Sequence, residues 1–552
     1  MSAHDFVRHF PLPHIRHEQR VAAEFAINAF ESGKHFVVCQ IGTGGGKSAF
    51  AINVARYLEQ HAQLKLDADG FPLTGCYILT TQKVLQQQYL DDYGPGTGPG
   101  KNLLRSIKSA SNYQCGYYTD CSCAESRRVI KQMGKKITGT EFFNHCCGGK
   151  CMYVKEKAAF IDSPIGVTNF SYFLAETMYG RQLKPRAFLV IDECHCIESE
   201  LGKFIEITFS EKFAKDILKC VLPKTHTQFA IHTWVKDVYL PALAKRINVM
   251  KAALNRKLKS EADGFGDLSK QYAALDKHIC KINRFIEMYA SDNWVVNVVE
   301  PRTNREMRKF EFKTIDVAAH SHDALFRFGG NVLMMSATVI DKDTFCTSIG
   351  LDPNEVAFID IPSPFPIENR PVHYIPAGAM SMSHIDRTLP AMAEAIKMIM
   401  DQHPGEKGMI HATSYKVAKY ILEHVKSDRF LAHGSENRED VLREHIMNDR
   451  PTVLLSPSMT EGIDLADDAS RFQILCKVPF PYLGDAVIKK RMNRNKTWYT
   501  YQTVKTIMQS LGRSIRNESD HAVSYILDSD WERFYRQNSH MFPAEFAKTL
   551  SS

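Results

Sequence analysis

The chain is 552 residues long, 44% apolar and 24% charged, the balance of a folded globular protein and not of a disordered or fibrous one. No apolar run approaches the roughly 20 residues that span a bilayer, and the opening Met-Ser-Ala-His-Asp-Phe lacks the basic-then-apolar build of a signal peptide, so a cytoplasmic protein without a membrane partner is expected. A formal net charge of +7 permits a polyanionic partner without demanding one.

In chain order, the first strong signal is the apolar run Phe36–Cys39, followed by Gly42, Thr43, Gly44, Gly45, Gly46, Lys47 and Ser48. A strand, a glycine-rich loop and a helix start make a phosphate cradle, because glycine lets backbone N–H groups close around an anion and the helix N-terminus adds a favourable dipole. Lys47 would neutralise the β- and γ-phosphates of a nucleotide, and Ser48 would offer its hydroxyl to magnesium. The strict form of this loop has glycine six residues before the lysine, where this chain has Ile41.

Tyr77–Leu79 reads as the next strand, and the Gly-Pro-rich stretch Gly94–Gly100 marks a boundary. Six of the fourteen cysteines then fall between Cys115 and Cys151. Outside an oxidising compartment such clustering predicts a metal site over a disulfide framework, and thiolates are soft donors that suit an iron–sulfur cluster or zinc. The spacing leaves six cysteines for four places, and His145 could replace one. Between them, Arg127, Arg128, Lys131, Lys135 and Lys136 lie near Phe142 and Phe143, a mixture that suits backbone tracking with stacking, or equally a solvated basic helix.

Phe188–Ile191 is a buried-strand pattern that ends in Asp192 and Glu193, and α/β folds place their ligands at that carboxyl edge. Asp192 would hold magnesium through its water shell, and Glu193 would orient or deprotonate an attacking water. The following Cys194, His195 and Cys196 are not read as a metal site, since three adjacent ligands rarely converge on one ion. From Leu201 to Arg327 the pattern is mostly helical, as in Trp234–Leu258 and Leu275–Tyr289. Strand-like runs return at Val332–Met335, Gly408–Ile410, Val453–Leu455 and Ile474–Val478. Two such sets separated by an insertion predict an α/β protein with two parallel-sheet domains side by side.

At this point the motifs resemble, in family order, those of superfamily 2 helicases of the XPD/DinG iron–sulfur type. Asp192, Glu193, Cys194 and His195 form an Asp-Glu-x-His box, and Arg16 with Gln19 looks like the upstream adenine-recognising element. Thr80–Gln88 is similar to motif Ia, which touches the nucleic-acid backbone; Ser336-Ala337-Thr338 to motif III, which links hydrolysis to movement; and Ser363–Pro366 to the Ser-Pro-Phe element that enters the second motor domain. His411–Tyr415 resembles motif IV, and Thr460–Asp464 with Val478–Pro481 resembles motif V, whose Glu461 and Asp464 are assigned to the nucleotide. Gln509, Arg513 and Arg516 match motif VI, and a guanidinium that pairs bidentately with phosphate suits charge developing on a transferred phosphoryl group. One departure is Asp530, which stands where an arginine is common.

The resemblance implies two RecA-like motor domains with an inserted iron–sulfur domain and a mostly helical arch-like insertion. The first motor domain would comprise residues 1–104, 159–200 and 326–365, the cysteine-rich domain 105–158, the arch-like insertion 201–325 and the second motor domain 366–552. Relatives of this type bind a [4Fe–4S] cluster through four cysteines between motif Ia and the Asp-Glu box. That assigns Cys115, Cys121, Cys146 and Cys151, with Cys123 and Cys147 next in line and zinc as the alternative metal. The family implies ATP and Mg2+ as cofactors, and single-stranded, forked or flapped DNA as partner. It implies a monomeric motor that moves 5′ to 3′ and unwinds duplex in DNA repair or replication; the compact length suits a phage or bacterial member. A translocase or remodeller without strand separation would need the same motifs. A non-catalytic ATP-gated binding factor would not need Lys47, Glu193 and Arg513, all of which are present.

Overall fold

The continuous apolar runs become parallel strands covered on both faces, which is why they lack the in–out alternation of a half-exposed sheet. The computed structural model describes residues 5–42, 44–61, 65–66, 70, 72–126, 150–180, 183–260, 265–301, 307–434, 436–457, 465, 467–512 and 520–551. Before residue 200 the chain lays down β1 (Phe36–Ile41), β2 (Cys76–Thr80), β3 (Arg105–Ser106), β4 (Ile165–Asn169) and β5 (Arg186–Asp192). It leaves for β6 (Ile207–Ser210), β7 (Trp294–Val299) and β8 (Lys309–Thr314), then returns as β9 (Gly329–Ser336) and β10 (Val356–Ile361).

The first sheet runs β10-β1-β9-β5-β2-β4-β3 with every pair parallel. Because β9 sits between β1 and β5, three loops leave the same carboxyl edge side by side. In register, Gln40 lies beside Ser336 and Asp192 beside Met335. The glycine loop, the Asp-Glu pair and the Ser-Ala-Thr segment are therefore neighbours by topology, although some 290 residues separate the first from the last.

The second domain comprises β11 (Val372–Gly378), β12 (Gly408–His411), β13 (Phe430–Ala432), β14 (Val453–Ser456), β15 (Phe472–Leu475), β16 (Val523–Asp528) and β17 (Leu550–Ser551). Its order is β13-β14-β12-β15-β16-β11-β17, again parallel throughout. The strand expected at Ile474–Val478 starts two residues earlier and ends at Leu475. Val478 has left the ladder, its N–H donating to the Asp528 carboxylate at 3.0 Å. The N–H groups of Met380 and Asp530 donate to the same buried carboxylate, each at 3.1 Å.

The insertion holds the expected helices, Leu240–Ser260 and Phe265–Met288. A π-turn at Val235–Tyr239 precedes the first, where Pro241 lacks the N–H that a regular helix would use. The insertion also contains a three-stranded antiparallel sheet, β6-β8-β7, that the helical expectation omitted. In β8, Phe310, Phe312 and Thr314 face inward and alternate with Lys309, Glu311 and Lys313. The charged outer face masked the strand in the sequence. Phe209, Trp294, Phe310 and Phe312 are fully buried and form the aromatic centre of this unit.

Arg186, at the start of β5, anchors the helix Met152–Asp162 to the first sheet. Its guanidinium donates to the carbonyls of Phe160 (3.1 Å), Ile161 (2.7 Å), Ser163 (3.0 Å) and Cys76 (2.8 Å). These include carbonyls that a helix C-terminus leaves without an internal partner. The helix that follows Cys151 is thereby fixed to the sheet. No described helix is long and apolar enough to cross a membrane.

Candidate nucleotide site and cysteine segment

The glycine loop joins β1 to the helix Lys47–His61. Gly44 and Gly46 have φ of +79° and +70°, the left-handed region that side chains disfavour. Space forbids a side chain as well: a Cβ on Gly46 would lie 2.0 Å from Gln19 Nε2, and one on Gly44 2.0 Å from the Phe365 ring. The loop is thus gripped from two sides. Arg16 Nη1 donates to Gly44 O at 2.7 Å and Gln19 Nε2 to Gly46 O at 3.1 Å, while Ser363 and Phe365 close over Gly42 and Gly44. Ile41, at the position where the strict motif has glycine, is the last residue of β1 and is buried beneath Gly45. Thr43 lies outside the described residues.

Asp192 ends β5 and is buried. Tyr89 OH donates to its Oδ2 at 3.1 Å, and Glu193 N donates to its Oδ1 at 2.9 Å. Burial, and after it the neighbouring Glu193 charge, pushes the Asp192 carboxyl above the usual carboxylate range, against the pull of Lys47 and Tyr89. Lys47 offsets the burial only in part, which leaves room for further positive charge beside this carboxylate. Tyr89 also engages Ser48, so a carboxylate and a hydroxyl share one tyrosine. Hard oxygen donors of this kind fit Mg2+.

Glu193 itself is left-handed (φ 51°, ψ 49°), a conformation costing an L-residue about 1 kcal/mol or more. Its carboxylate lies 3.7 Å from Lys47 Nζ and 3.2 Å from His195 Nδ1. Ser336 Oγ is 2.7 Å from the same His195 nitrogen, donates to Glu193 Oε2 at 3.4 Å and accepts from Thr338 N at 3.1 Å. From the second domain, Gln509 Nε2 donates to Thr338 Oγ1 at 3.4 Å. Gln509 Oε1 is buried with no partner among the described residues. One line of polar groups therefore runs from Lys47 through Glu193, His195, Ser336 and Thr338 to Gln509.

Of the other residues assigned from sequence, Glu461, Asp464, Arg513 and Arg516 lie outside the described residues. Within Thr80–Gln88, Gln86 points inward and donates to Ser106 Oγ (2.7 Å) and Ile107 O (2.8 Å), which leaves Lys83, Val84 and Gln88 exposed. Asp530, the departure from the family pattern, pairs with Arg533 at 3.4 Å. Sequence reasoning missed Tyr89, whose contact with Asp192 spans 103 residues and carries no local signature.

Cys115, Cys121, Cys123 and Cys151 are buried. They stand as two pairs: Cys121 hydrogen-bonds Cys115, and Cys123 Sγ lies 3.8 Å from Cys151 Sγ. The hydrogen bond from Cys121 holds the Cys115 thiol down to about 5 and raises that of Cys121. Buried thiols of this kind are soft donors that fit a thiophilic metal or cluster. Among the described residues no three His, Cys, Asp or Glu side chains converge on one metal position. Cys146, Cys147 and the basic–aromatic stretch from Arg127 to Phe143 lie outside the described residues.

Residues 396–549 match the family described as helicase C-terminal domain. An ATP-dependent DNA helicase YoaA of Escherichia coli is 21% identical over 470 residues, covering 74% of this chain and 72% of that protein. An ATP-dependent DNA helicase DinG of Photobacterium profundum is 25% identical over 237 residues, 39% of this chain and 34% of that one. An ATP-dependent DNA helicase CHL1 of Candida albicans is 28% identical over 136 residues, 20% and 16% of the two chains. The last two matches span about a third or less of the relatives' own length. Among solved structures, an XPD helicase superposes with a TM-score of 0.63 at 14% identity, covering 96% of this chain and 99% of that one. The Xpd4 structure from S. tokodaii gives a TM-score of 0.57 at 14% identity, over 97% and 99%. At that identity the likeness is one of fold, two RecA-like domains.

Proposed function

We propose, on the premise that this chain is of the XPD/DinG type of superfamily 2, that it is an ATP-dependent DNA helicase that moves 5′ to 3′ on single-stranded DNA and separates duplex. The observation that carries the proposal is the line of polar groups from Lys47 to Gln509, which begins in one α/β domain and ends in the other. Lys47 binds the β- and γ-phosphates, and Glu193, set between Lys47 and His195, orients the attacking water and takes its proton. Asp192 and Ser48 hold magnesium, which supplies charge neutralisation across the phosphates when bound. Arg16 and Gln19 position the loop and face the base, and Glu461 and Asp464 complete the nucleotide site. Arg513 and Arg516, following Gln509, pair with the transferred phosphoryl group, so that hydrolysis opens and closes the cleft.

Four thiolates, Cys115 and Cys151 with one each of Cys121 or Cys123 and Cys146 or Cys147, hold a [4Fe–4S] cluster in this reading. The cluster supplies a fixed fold to a segment too short and polar to bury a core of its own. Forked DNA is the partner and a single chain the working unit. A strand-displacement assay on forks with 5′ or 3′ single-stranded arms tests the proposal. Unwinding that needs ATP and a 5′ arm is expected; ATP-dependent movement with no strand separation would favour the translocase reading.

A further inference from the structure

The helix Lys496–Leu511, which ends just before Arg513, turns one face to the first domain. Trp498, Gln502, Lys505 and Gln509 recur at the alternating three- and four-residue spacings of a single helix face. Trp498 Nε1 and Gln502 Nε2 each donate to Glu198 Oε2 at 3.2 Å, Lys505 Nζ donates to His195 O at 3.4 Å, and Gln509 reaches Thr338. One rigid rod thus grips both the segment after Asp192 and the segment after β9.

Glu198 has a further partner. It is ion-paired with Arg491 of the helix Ala486–Arg494, and the two side chains are only 13% and 12% exposed. The Arg491 guanidinium lies over the Trp498 ring, 4.3 Å from its centroid, and its Nη1 donates to Ile315 O at 3.0 Å. Ile315 immediately follows β8, in the insertion. Two more contacts cross at the same place: Lys313 to Asp485 at 3.5 Å and Arg494 Nη1 to Asn293 Oδ1 at 3.4 Å. Glu198 belongs to the first domain, Arg491 to the second and Ile315 to the insertion, so all three meet at one pair that is largely, though not fully, shielded from solvent.

We propose that Glu198 is a positioning residue: its contacts with Arg491, Trp498 and Gln502 lock the Asp192–Glu193 segment to the helix that carries Gln509, and through Arg491 they tie closure of the cleft to the position of the insertion. A buried ion pair adds little net stability over an apolar pair of the same shape, but separating its members strands both charges. Parting the two domains would break these contacts together. The cleft then has discrete closed and open states, and the insertion follows them. The inference rests on the nucleotide-cleft reading above.

The test compares wild type with Glu198→Gln and Arg491→Lys. ATP hydrolysis is measured with and without a single-stranded oligonucleotide, and hydrogen exchange around Ile315 with a non-hydrolysable ATP analogue bound. Glu198→Gln keeps the shape and loses the charge that holds Arg491. It should lower oligonucleotide-stimulated kcat about tenfold, the scale of coupling between separate sites, with KM for ATP unchanged and faster exchange at Ile315. Arg491→Lys keeps the charge but loses the planar fork and the stacking on Trp498, and should fall between the two. Wild-type stimulation in Glu198→Gln would overturn the proposal, and so would a lowered Tm with an unchanged stimulation ratio. A wild-type chain that ignores the oligonucleotide would overturn the functional reading instead. The exchange arm needs no hydrolysis: equal exchange at Ile315 in wild type and Glu198→Gln overturns the coupling whatever the rates.

Discussion

The candidate nucleotide cleft and the cysteine segment both adjoin the first sheet, yet they are built in different ways. In the cleft, Lys47, Asp192 and Ser336 are set by strand register: β1, β9 and β5 are adjacent and parallel, and the groups follow from their ends. The described part of the cysteine segment lies outside the sheet, apart from the short β3, and includes the helix Met152–Asp162. Cys115, Cys121 and Cys123 are held by local backbone bonds, such as Cys115 N to Cys121 O at 3.1 Å and Cys123 N to Tyr113 O at 2.9 Å. Its described side-chain ties to the first sheet domain include Arg186 on the helix end, Lys157 with Glu176 at 2.7 Å, and the Tyr153 and Tyr172 hydroxyls 3.1 Å apart. A site at a sheet edge is preorganised by the fold, whereas a site on a short polar segment leans on what it binds.

That contrast is sharpened most by variants that silence one region and spare the other. Arg513→Ala should lower kcat about 10³-fold, as loss of an arginine finger does, while nucleotide binding and metal content stay as in wild type. Cys115→Ser or Cys151→Ser should remove the bound metal and strand separation, with nucleotide binding retained; elemental analysis and a nucleotide titration on the same sample check both. If nucleotide affinity fell along with the metal, the two regions would not be independent.

Arg186→Ala removes a charged donor from four carbonyls and should cost about 3 kcal/mol of stability, read as a lowered Tm together with poorer metal retention and an unchanged KM for ATP. The smallest effect is expected from Tyr89→Phe, which removes one hydrogen bond from Asp192. A loss of about 1 kcal/mol should appear as a several-fold rise in the Mg2+ needed for half-maximal hydrolysis.

The parts legible in the sequence are those whose chemistry is local. Phe36–Ser48 carries strand, loop and helix start in thirteen consecutive residues, and Phe188–Glu193 carries a strand ending in the carboxylate pair, so both strands and their ends were readable. Glu198 and Trp498, 300 residues apart, meet only because two domains face each other. Tyr89 looks like any buried aromatic on a helix until Asp192 is placed beside it. The small sheet of the insertion went unread in part because the outward residues of β8 are charged, although Trp294–Val299 is itself a strand-like apolar run. In the cysteine segment the composition pointed to a metal, but no spacing chose among six cysteines; the structure sets Cys123 Sγ 3.8 Å from Cys151 Sγ.

In the proposed function, the groups between Lys47 and Gln509 form an ATP-hydrolysing cleft answering to nucleic acid. That role is tested most directly by steady-state ATP hydrolysis of wild type and Glu193→Gln, with and without single-stranded DNA. Stimulated hydrolysis is expected in wild type. In Glu193→Gln it should fall by about 10³-fold, within the range for loss of a general base, with nucleotide still bound. Hydrolysis by Glu193→Gln near the wild-type rate, or a wild-type rate indifferent to DNA, would contradict the account.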